Sequence, residues 1–343
     1  MLIVPVYALV VFTNYFVDPA NIFHASMTDK ICEGLKEYEA VEVVGDFDEG
    51  SLLEKRIASF STVPSVMVMG SSHVLYVDWD FDDYQNIGMS GEFLDDYYAT
   101  VGLLNKYDKI PKTLVIGVDP YIFMDGLSIR QDSLSMYAAD VKNMLNPSSY
   151  GRVKPENAKL KRIKELFSFS YFQSSAEALL HKVDASYVNP VSDPTIGDYP
   201  KILQNGRRVP SFSSYMAIED MESASEWDVS NKAVYCMVDY ETLDATKISE
   251  FEYLIDFLIS KNVNVILYLS SWYPVYYDEF SSNVKFSGVL KAEDYLREMA
   301  GTREIEVRGS YSPYECGIER EDFLDYFHLT PEGGLKNYSV IIK

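Results

Sequence analysis

The sequence is short of positive charge. Against 52 aspartate and glutamate residues it has only 30 lysine and arginine residues, for a net charge of −22 and a pI near 4.5. A surface this acidic repels phosphate backbones and anionic lipid headgroups, so nucleic acid is excluded as a general partner. Hydrophobic residues make up 47% of the chain, which excludes global disorder and allows a sizeable core.

Metal-binding and cofactor-binding patterns are also missing. The four histidines and three cysteines include no Cys-x-x-Cys and no zinc spacing, so a structural zinc site is not expected. No Gly-rich phosphate loop or dinucleotide fingerprint follows a predicted strand, and we expect no cofactor. One disulfide among Cys32, Cys236 and Cys316 is left open.

The N-terminus has no charge before Asp18, and residues 1–17 are almost wholly apolar. As a helix they span about 25 Å, slightly short of a hydrocarbon core of ~30 Å. A normal cleaved signal peptide would need a basic start and a small-residue cleavage site, and neither is present. We predict a membrane anchor or uncleaved signal, with the rest of the chain outside the cytoplasm. The alternatives are a buried core element and a start codon upstream of Met1.

Apolar runs and amphipathic stretches then alternate. Strands are predicted at 65–70, 113–118, 263–269 and 304–307, and helices at 93–106, 241–260 and 291–299. This rhythm predicts a three-layer α/β/α domain over 61–343, with a parallel sheet and a site at the carboxyl ends of its strands. Residues 18–60 are interpreted as a connecting segment.

The α/β rhythm breaks between about 121 and 235. We predict that this region is a large insertion, helical over 154–182 and irregular over 187–230. Its arginines Arg130, Arg207 and Arg208 are either contacts for an anionic substrate group or ordinary surface residues.

Three short pieces of sequence combine groups that suit nucleophilic catalysis. They are Gly70–His73 after the first strand, Asn86–Gly91 before the first helix, and Asp325–His328 before a Pro-Gly-rich turn. A serine nucleophile needs a base, and the base needs an orienting carboxylate. We therefore predict Ser72 as nucleophile, His328 as base and Asp325 as its orienting group.

Each of these residues also has a structural interpretation. Ser72 is then a turn residue or helix cap, and Asp325 and His328 form an exposed acidic turn. His73 is predicted to support the site from behind the reacting groups, or to be structural, rather than to be the base, because adjacent side chains usually point apart. His24 and His181 are interpreted as structural too.

From residue 61 onward this pattern resembles the SGNH (GDSL-like) hydrolase superfamily, which has a flavodoxin-like sheet. Its first block, Gly-Asp-Ser or Gly-Ser-Ser, corresponds to Gly70–Ser72, and its Asp-x-x-His block to Asp325–His328. The resemblance implies that the N–H groups of Ser72 and a second-block glycine form the oxyanion hole. Gly88 is that glycine, and Gly91 is the alternative.

The third block departs from the superfamily pattern. Asp119 stands where the superfamily has an asparagine that donates to the oxyanion, and an ionised carboxylate cannot donate. Either Asp119 points away, or Asn86 or another donor substitutes for it. Losing one oxyanion donor typically costs about 10²–10³ in rate.

An aromatic group follows the third strand of the predicted sheet. Trp272, Tyr273 and Tyr276 are predicted either to line an acyl or sugar pocket, with Asp119, or to pack under the insertion.

The N-terminal segment and the blocks together resemble the branch of membrane-anchored DltD-like and polysaccharide O-acetylation proteins. This resemblance implies an extracytoplasmic serine esterase or O-acyltransferase that acts on acyl esters of a cell-envelope glycan or polymer. The implied partners are that polymer, the membrane and a membrane-bound O-acyltransferase. The alternative is a non-catalytic scaffold or glycan-binding subunit, which Asp119 favours.

Overall fold

The computed structural model describes residues 3–17, 27–45, 47–126, 134–145, 166–169, 172–173, 175–176, 187–231 and 234–342. The helices of these residues are α1 (Ile3–Val17), α2 (Met27–Glu37), α3 (Glu49–Ser59), α4 (Leu94–Lys106), α5 (Ser135–Leu145), α6 (Ile218–Ser230), α7 (Ala245–Ser260), α8 (Pro274–Ser282), α9 (Ser287–Arg303), α10 (Pro313–Cys316) and α11 (Pro331–Tyr338). The strands are β1 (Ala40–Val44), β2 (Val66–Met69), β3 (Tyr84–Asn86), β4 (Thr113–Gly117), β5 (Tyr187–Val191), β6 (Lys201–Leu203), β7 (Arg208–Val209), β8 (Asn264–Leu269) and β9 (Glu306–Gly309).

The centre of the molecule is a five-stranded, all-parallel sheet with the order β3-β2-β4-β8-β9. This confirms the predicted mixed α/β class and its parallel sheet. After β2, the chain places β3 on one side of β2 and then β4 on the other side. The strand order therefore reverses between β2 and β4. Doubly wound sheets bind ligands at the carboxyl ends of the strands beside such a reversal.

The parallel sheet is buried on both faces. Neighbouring residues along a strand point to opposite sides, and in this sheet the residues on each side belong to a core cluster. In β2, Met67 and Met69 join the large core cluster, while Val68 joins a smaller cluster on the other face. The large cluster includes residues of α4, α7 and α9. On the other face, Trp79 and Tyr268 meet ring edge to ring face, with centroids 5.2 Å apart.

A second sheet corrects two predictions. It is antiparallel, has the order β5-β1-β6-β7, and joins β1 to strands of the insertion. Residues 18–60 are therefore more than a connecting segment, because they supply α2, a central strand and α3. Residues 187–230 are not irregular, since they contain β5, β6, β7 and α6.

The apolar N-terminal stretch forms α1. Its buried Asn14 donates to the backbone oxygens of Leu166 and Ser168, at 3.1 and 3.0 Å. Of the helices described, none combines the length and apolarity needed to cross a bilayer. The membrane anchor stays a prediction, and most of the predicted helix at 154–182 lies outside the described residues.

Candidate active site

Ser72 lies directly beyond the carboxyl end of β2. The chain leaves the strand through Gly70, whose φ of +138° favours glycine and whose Cβ would lie 2.7 Å from the Gly117 oxygen. The Ser71 hydroxyl then accepts from the His73 N–H at 3.3 Å and caps the 3-10 turn Ser72–Val74. The turn holds Ser72 at the point where the strand order reverses.

The Asp-x-x-His segment is a tight loop closed by its own aspartate. Asp325 Oδ1 accepts from the backbone N–H groups of Phe327 and His328, at 2.7 and 2.8 Å. Aspartate favours such turns because its short side chain reaches backbone groups two and three residues ahead. The Leu324 N–H donates to the His328 oxygen at 2.8 Å, and Thr330 caps α11 behind the loop.

The three side chains predicted as a triad lie within hydrogen-bonding distance of one another. His328 Nε2 is 2.8 Å from Ser72 Oγ, and His328 Nδ1 is 2.9 and 3.0 Å from the two Asp325 oxygens. The Asp325 carboxylate fixes the proton on Nδ1 and leaves Nε2 free to accept the serine proton. Burial opposes the charged form of Asp325, but the His328 side chain and the loop N–H groups outweigh it and lower its pKa.

His73 and Asp119 form a second, buried pair beside this triad, with the His73 and His328 ring centroids 5.6 Å apart. His73 Nδ1 is 2.5 Å from Asp119 Oδ1, and His73 Nε2 is 3.0 Å from the Phe327 oxygen. Burial acts against both charged forms, but their mutual attraction raises the pKa of His73 and lowers that of Asp119. The prediction that His73 is structural fits this position. Asp119 contacts His73 and Tyr121, which agrees with the alternative that its carboxylate points away from the oxyanion.

The expected oxyanion donors bind each other. The Gly88 N–H donates to Asn86 Oδ1 at 3.0 Å, and Asn86 Nδ2 donates to the Val74 oxygen at 2.7 Å. Gly91 lies in a turn with a φ of +58°. No acceptor is found for the Ser72 N–H among the hydrogen bonds of the described residues. The roles of Gly88 and Asn86 stay predictions, and the bond between them weighs against both.

The aromatic residues after β8 correct the pocket prediction. Trp272, Tyr273 and Tyr276 are each at most 1% exposed, so they do not line an open pocket. The Trp272 ring meets the His73 ring edge to face at 5.3 Å, and the Tyr276 ring stacks on the Phe327 ring at 5.3 Å. Their burial agrees with the packing alternative, and Tyr276 contacts the insertion directly, because its hydroxyl donates to Asp228 at 2.5 Å.

Sequence reasoning missed the contacts of Glu49. Its carboxylate accepts from the Ser90 N–H and hydroxyl at 2.6 and 2.9 Å and pairs with Arg208 at 2.8 Å. Arg208 is therefore committed to this carboxylate rather than open to a ligand. The sequence shows only the residues next to Ser90 in the chain, and no local pattern predicts its contact with Glu49.

The remaining predictions concern the insertion arginines, the other histidines and the cysteines. Arg207 pairs with Asp78 at 3.5 Å. His24, Arg130 and His181 lie outside the described residues. All three cysteines are free thiols, and within the described ranges no group of three or more His, Cys, Asp or Glu side chains is placed to hold a metal ion.

Comparisons with family models and with curated proteins give no match for this chain. No family model matches it, and no curated protein matches it significantly. A functional conclusion therefore depends on the geometry of the site and on the short motifs that form it.

Proposed function

We propose that this protein is a serine esterase or O-acyltransferase with an SGNH-like three-layer α/β/α fold. The single observation that carries the proposal is the contact of His328 Nε2 with Ser72 Oγ at 2.8 Å, with Asp325 on the other ring nitrogen. Ser72 and His328 lie 256 residues apart in sequence, so local turn formation does not account for their contact. Nucleophile, base and orienting carboxylate in this order are the arrangement of acyl-transfer enzymes.

In the proposed reaction, Ser72 Oγ attacks the carbonyl carbon of an acyl ester while its proton moves to His328 Nε2. Asp325 stabilises the imidazolium that results, and the Ser72 N–H donates to the oxyanion. Collapse of the tetrahedral intermediate breaks the ester C–O bond, and His328 returns the proton to the leaving alcohol. A water molecule or a sugar hydroxyl then attacks the acyl-serine while His328 takes its proton, and the acyl–serine C–O bond breaks as His328 returns that proton to Ser72 Oγ. Water gives hydrolysis, and a sugar hydroxyl gives transfer.

The substrate class and location in this proposal rest on the DltD-like resemblance. The substrate would be an acyl ester of a cell-envelope glycan or polymer, and the site would face outside the cytoplasm. The partners would be the membrane, through residues 1–17, and a membrane-bound O-acyltransferase. The charge of −22 favours a neutral glycan over a bare polyphosphate.

One observation favours a second function, that of a non-catalytic scaffold or glycan-binding subunit. The Gly88 N–H is engaged by Asn86, and Asp119 is engaged by His73, so neither supplies an oxyanion donor in this arrangement. With the Ser72 N–H as the remaining donor, catalysis would be slow, since each missing donor costs about 10²–10³ in rate.

Covalent labelling with a serine-reactive fluorophosphonate tests the enzyme proposal. The full chain in mild detergent is labelled and mapped by mass spectrometry, beside Ser72→Ala, His328→Ala and the control Ser90→Ala. We expect label on Ser72 in the wild type and in Ser90→Ala, and at least about 10³-fold slower labelling in His328→Ala. Folded wild-type protein without label would support the scaffold.

A further inference from the structure

The peptide group between Phe327 and His328 is held from both sides. Its N–H donates to Asp325 Oδ1 at 2.8 Å, and its carbonyl oxygen lies 3.0 Å from His73 Nε2. This is the last peptide group before the His328 Cα atom. Its orientation therefore decides the direction in which the His328 side chain leaves the backbone.

His73 holds that carbonyl only while Nε2 carries a proton, because a carbonyl oxygen has no proton to donate. The other ring nitrogen faces Asp119 Oδ1 at 2.5 Å, and Asp119 Oδ2 accepts from the Tyr121 hydroxyl at 3.1 Å. Acceptors thus face both nitrogens of one ring. An imidazolium satisfies both of them, whereas a neutral imidazole satisfies one.

We propose that His73 and Asp119 form a positioning pair that holds the Phe327 carbonyl and thereby sets His328 against Ser72. Its catalytic consequence rests on the proposed function, but the pair itself does not. Asp119 keeps the second proton on His73, and His73 joins the nucleophile turn and the end of β4 to the Asp-x-x-His loop. Asp119 then helps to position the base, His328, and does not bind the oxyanion.

The surroundings of the pair leave few groups that change charge near neutral pH. Asp325 and His328 face it from the loop. Burial raises the pKa of the hydroxyl and thiol groups around Asp119, which keeps them neutral there: Tyr97, Tyr121, Cys236, Tyr268 and Tyr311. A titration of the pair is therefore identified by substituting Asp119.

The pH dependence of the pair has a defined sign. The pKa of His73 is raised in the folded protein, so its positioning effect is fully present at low pH and is lost as the pH rises through that value. The remaining proton then stays on Nδ1, because a bond to a carboxylate is stronger than one to a carbonyl. The Nε2 lone pair would face the Phe327 oxygen and release the loop.

The first test measures the protons directly. Nitrogen-15 NMR of the full chain, labelled at histidine, is recorded from pH 5 to 9, and His73→Ala identifies the His73 signals. We expect both His73 nitrogens to be protonated at pH 6, with deprotonation at a lower pH in Asp119→Asn. A singly protonated His73 at pH 6 would overturn the pair, whatever the activity of the protein.

The second test measures catalysis with a p-nitrophenyl ester. In Asp119→Asn we expect kcat to fall by about 10- to 100-fold with KM nearly unchanged, because the base is misplaced rather than lost. The alkaline limb of the kcat profile should also move to lower pH. Tyr311→Phe is the matched control, because it removes a buried hydrogen bond of 2.8 Å to the Val118 oxygen at the same strand end.

The outcomes separate the two proposals. Higher kcat in Asp119→Asn would show that an amide there donates to the oxyanion, and would overturn the positioning pair. Equal losses in Asp119→Asn and Tyr311→Phe, with unmoved pH limbs, would also overturn it. Two protonated His73 nitrogens in a protein whose Ser72 takes no fluorophosphonate would support the pair and contradict the proposed function.

Discussion

At the scale of single residues, Asp325 serves the backbone and the base together. One of its oxygens accepts two loop N–H groups, and both of its oxygens lie within 3.0 Å of His328 Nδ1. Loop shape and imidazole orientation are thus set by the same carboxylate. Substitutions that keep the loop contacts but remove the charge can therefore distinguish the two roles.

Asp325→Asn keeps a side-chain oxygen for the loop but loses the charge that stabilises the His328 imidazolium. We expect the folded variant to lose roughly 10⁴-fold in kcat. Asp325→Ala should lose the same activity and also about 1–2 kcal/mol of unfolding free energy, because the loop N–H groups lose their acceptor. Ester hydrolysis and chemical denaturation measure the two effects. Near wild-type kcat in Asp325→Asn would remove Asp325 from the triad.

At the scale of elements, the strand ends set the distances of the site. Gly70 joins β2 to the nucleophile turn and lies against Gly117, the last residue of β4. Any side chain at Gly70 would push these strand ends apart, because its first atom would meet a backbone oxygen that cannot move alone. Glycine is thus needed at position 70 both for the positive φ and for the close approach of the β2 and β4 ends.

Gly70→Ala should therefore lower the free energy of unfolding by at least about 2 kcal/mol, from backbone strain and the contact at 2.7 Å together. Gly301→Ala is the matched control, because no atom lies within 4 Å of its added Cβ and the residue is in α9. There we expect a gain of about 0.5–1 kcal/mol. Thermal unfolding of both variants measures the difference, and a Gly70→Ala variant that is no less stable than Gly301→Ala would contradict the prediction.

The parallel core was predictable, because buried strands read as continuous apolar runs. The runs at 65–70, 113–118 and 263–269 became β2, β4 and β8, and 93–106 became α4. β3 was missed because its residues, Tyr-Gln-Asn, carry no apolar pattern and join the sheet edge through the backbone.

Long-range pairings explain the other misses. β1 was overlooked because its partners lie in the insertion, and no local pattern encodes them. Within the candidate site, the sequence pattern predicted Ser72, Asp325 and His328, and the structure brings these three side chains together. The pairing of His73 with Asp119 was not predicted, because the two residues are 46 positions apart in sequence and meet only in the folded chain.

At the scale of the whole molecule, the two sheets are joined beside the candidate site. The Arg208 N–H donates to the Leu75 oxygen at 2.8 Å, and the Asn86 N–H donates to the Asn205 oxygen at 2.7 Å. The side chain of Arg208 then reaches Glu49, which holds the Ser90 loop. The antiparallel sheet therefore supports loops on the edge where Ser72 lies.

The interaction of Arg208 with Glu49 links the antiparallel sheet to the Ser90 loop, and its strength can be measured. Both side chains are at most 20% exposed, so solvent screens their interaction little. In a double-mutant cycle with Arg208→Met and Glu49→Gln, we expect a coupling of about 1–3 kcal/mol at pH 7. Burial opposes ionisation of Glu49, but Arg208 and Ser90 outweigh it and lower its pKa. The coupling is thus present above about pH 4.3, the unfolded value, and lost as the pH falls through the lower folded value. A coupling that is unchanged at pH 3 would contradict the assignment.

The central position of β1 also has a consequence for synthesis. Glu42 of β1 faces Asn189 of β5, 147 residues further along the chain. At about 5–20 residues per second, a ribosome makes that length in roughly 7–30 s. For this time the nascent β1 has neither of its neighbours, and both of its edges can pair with other chains. We therefore expect the region around β1 to need protection by a chaperone while the insertion is being made.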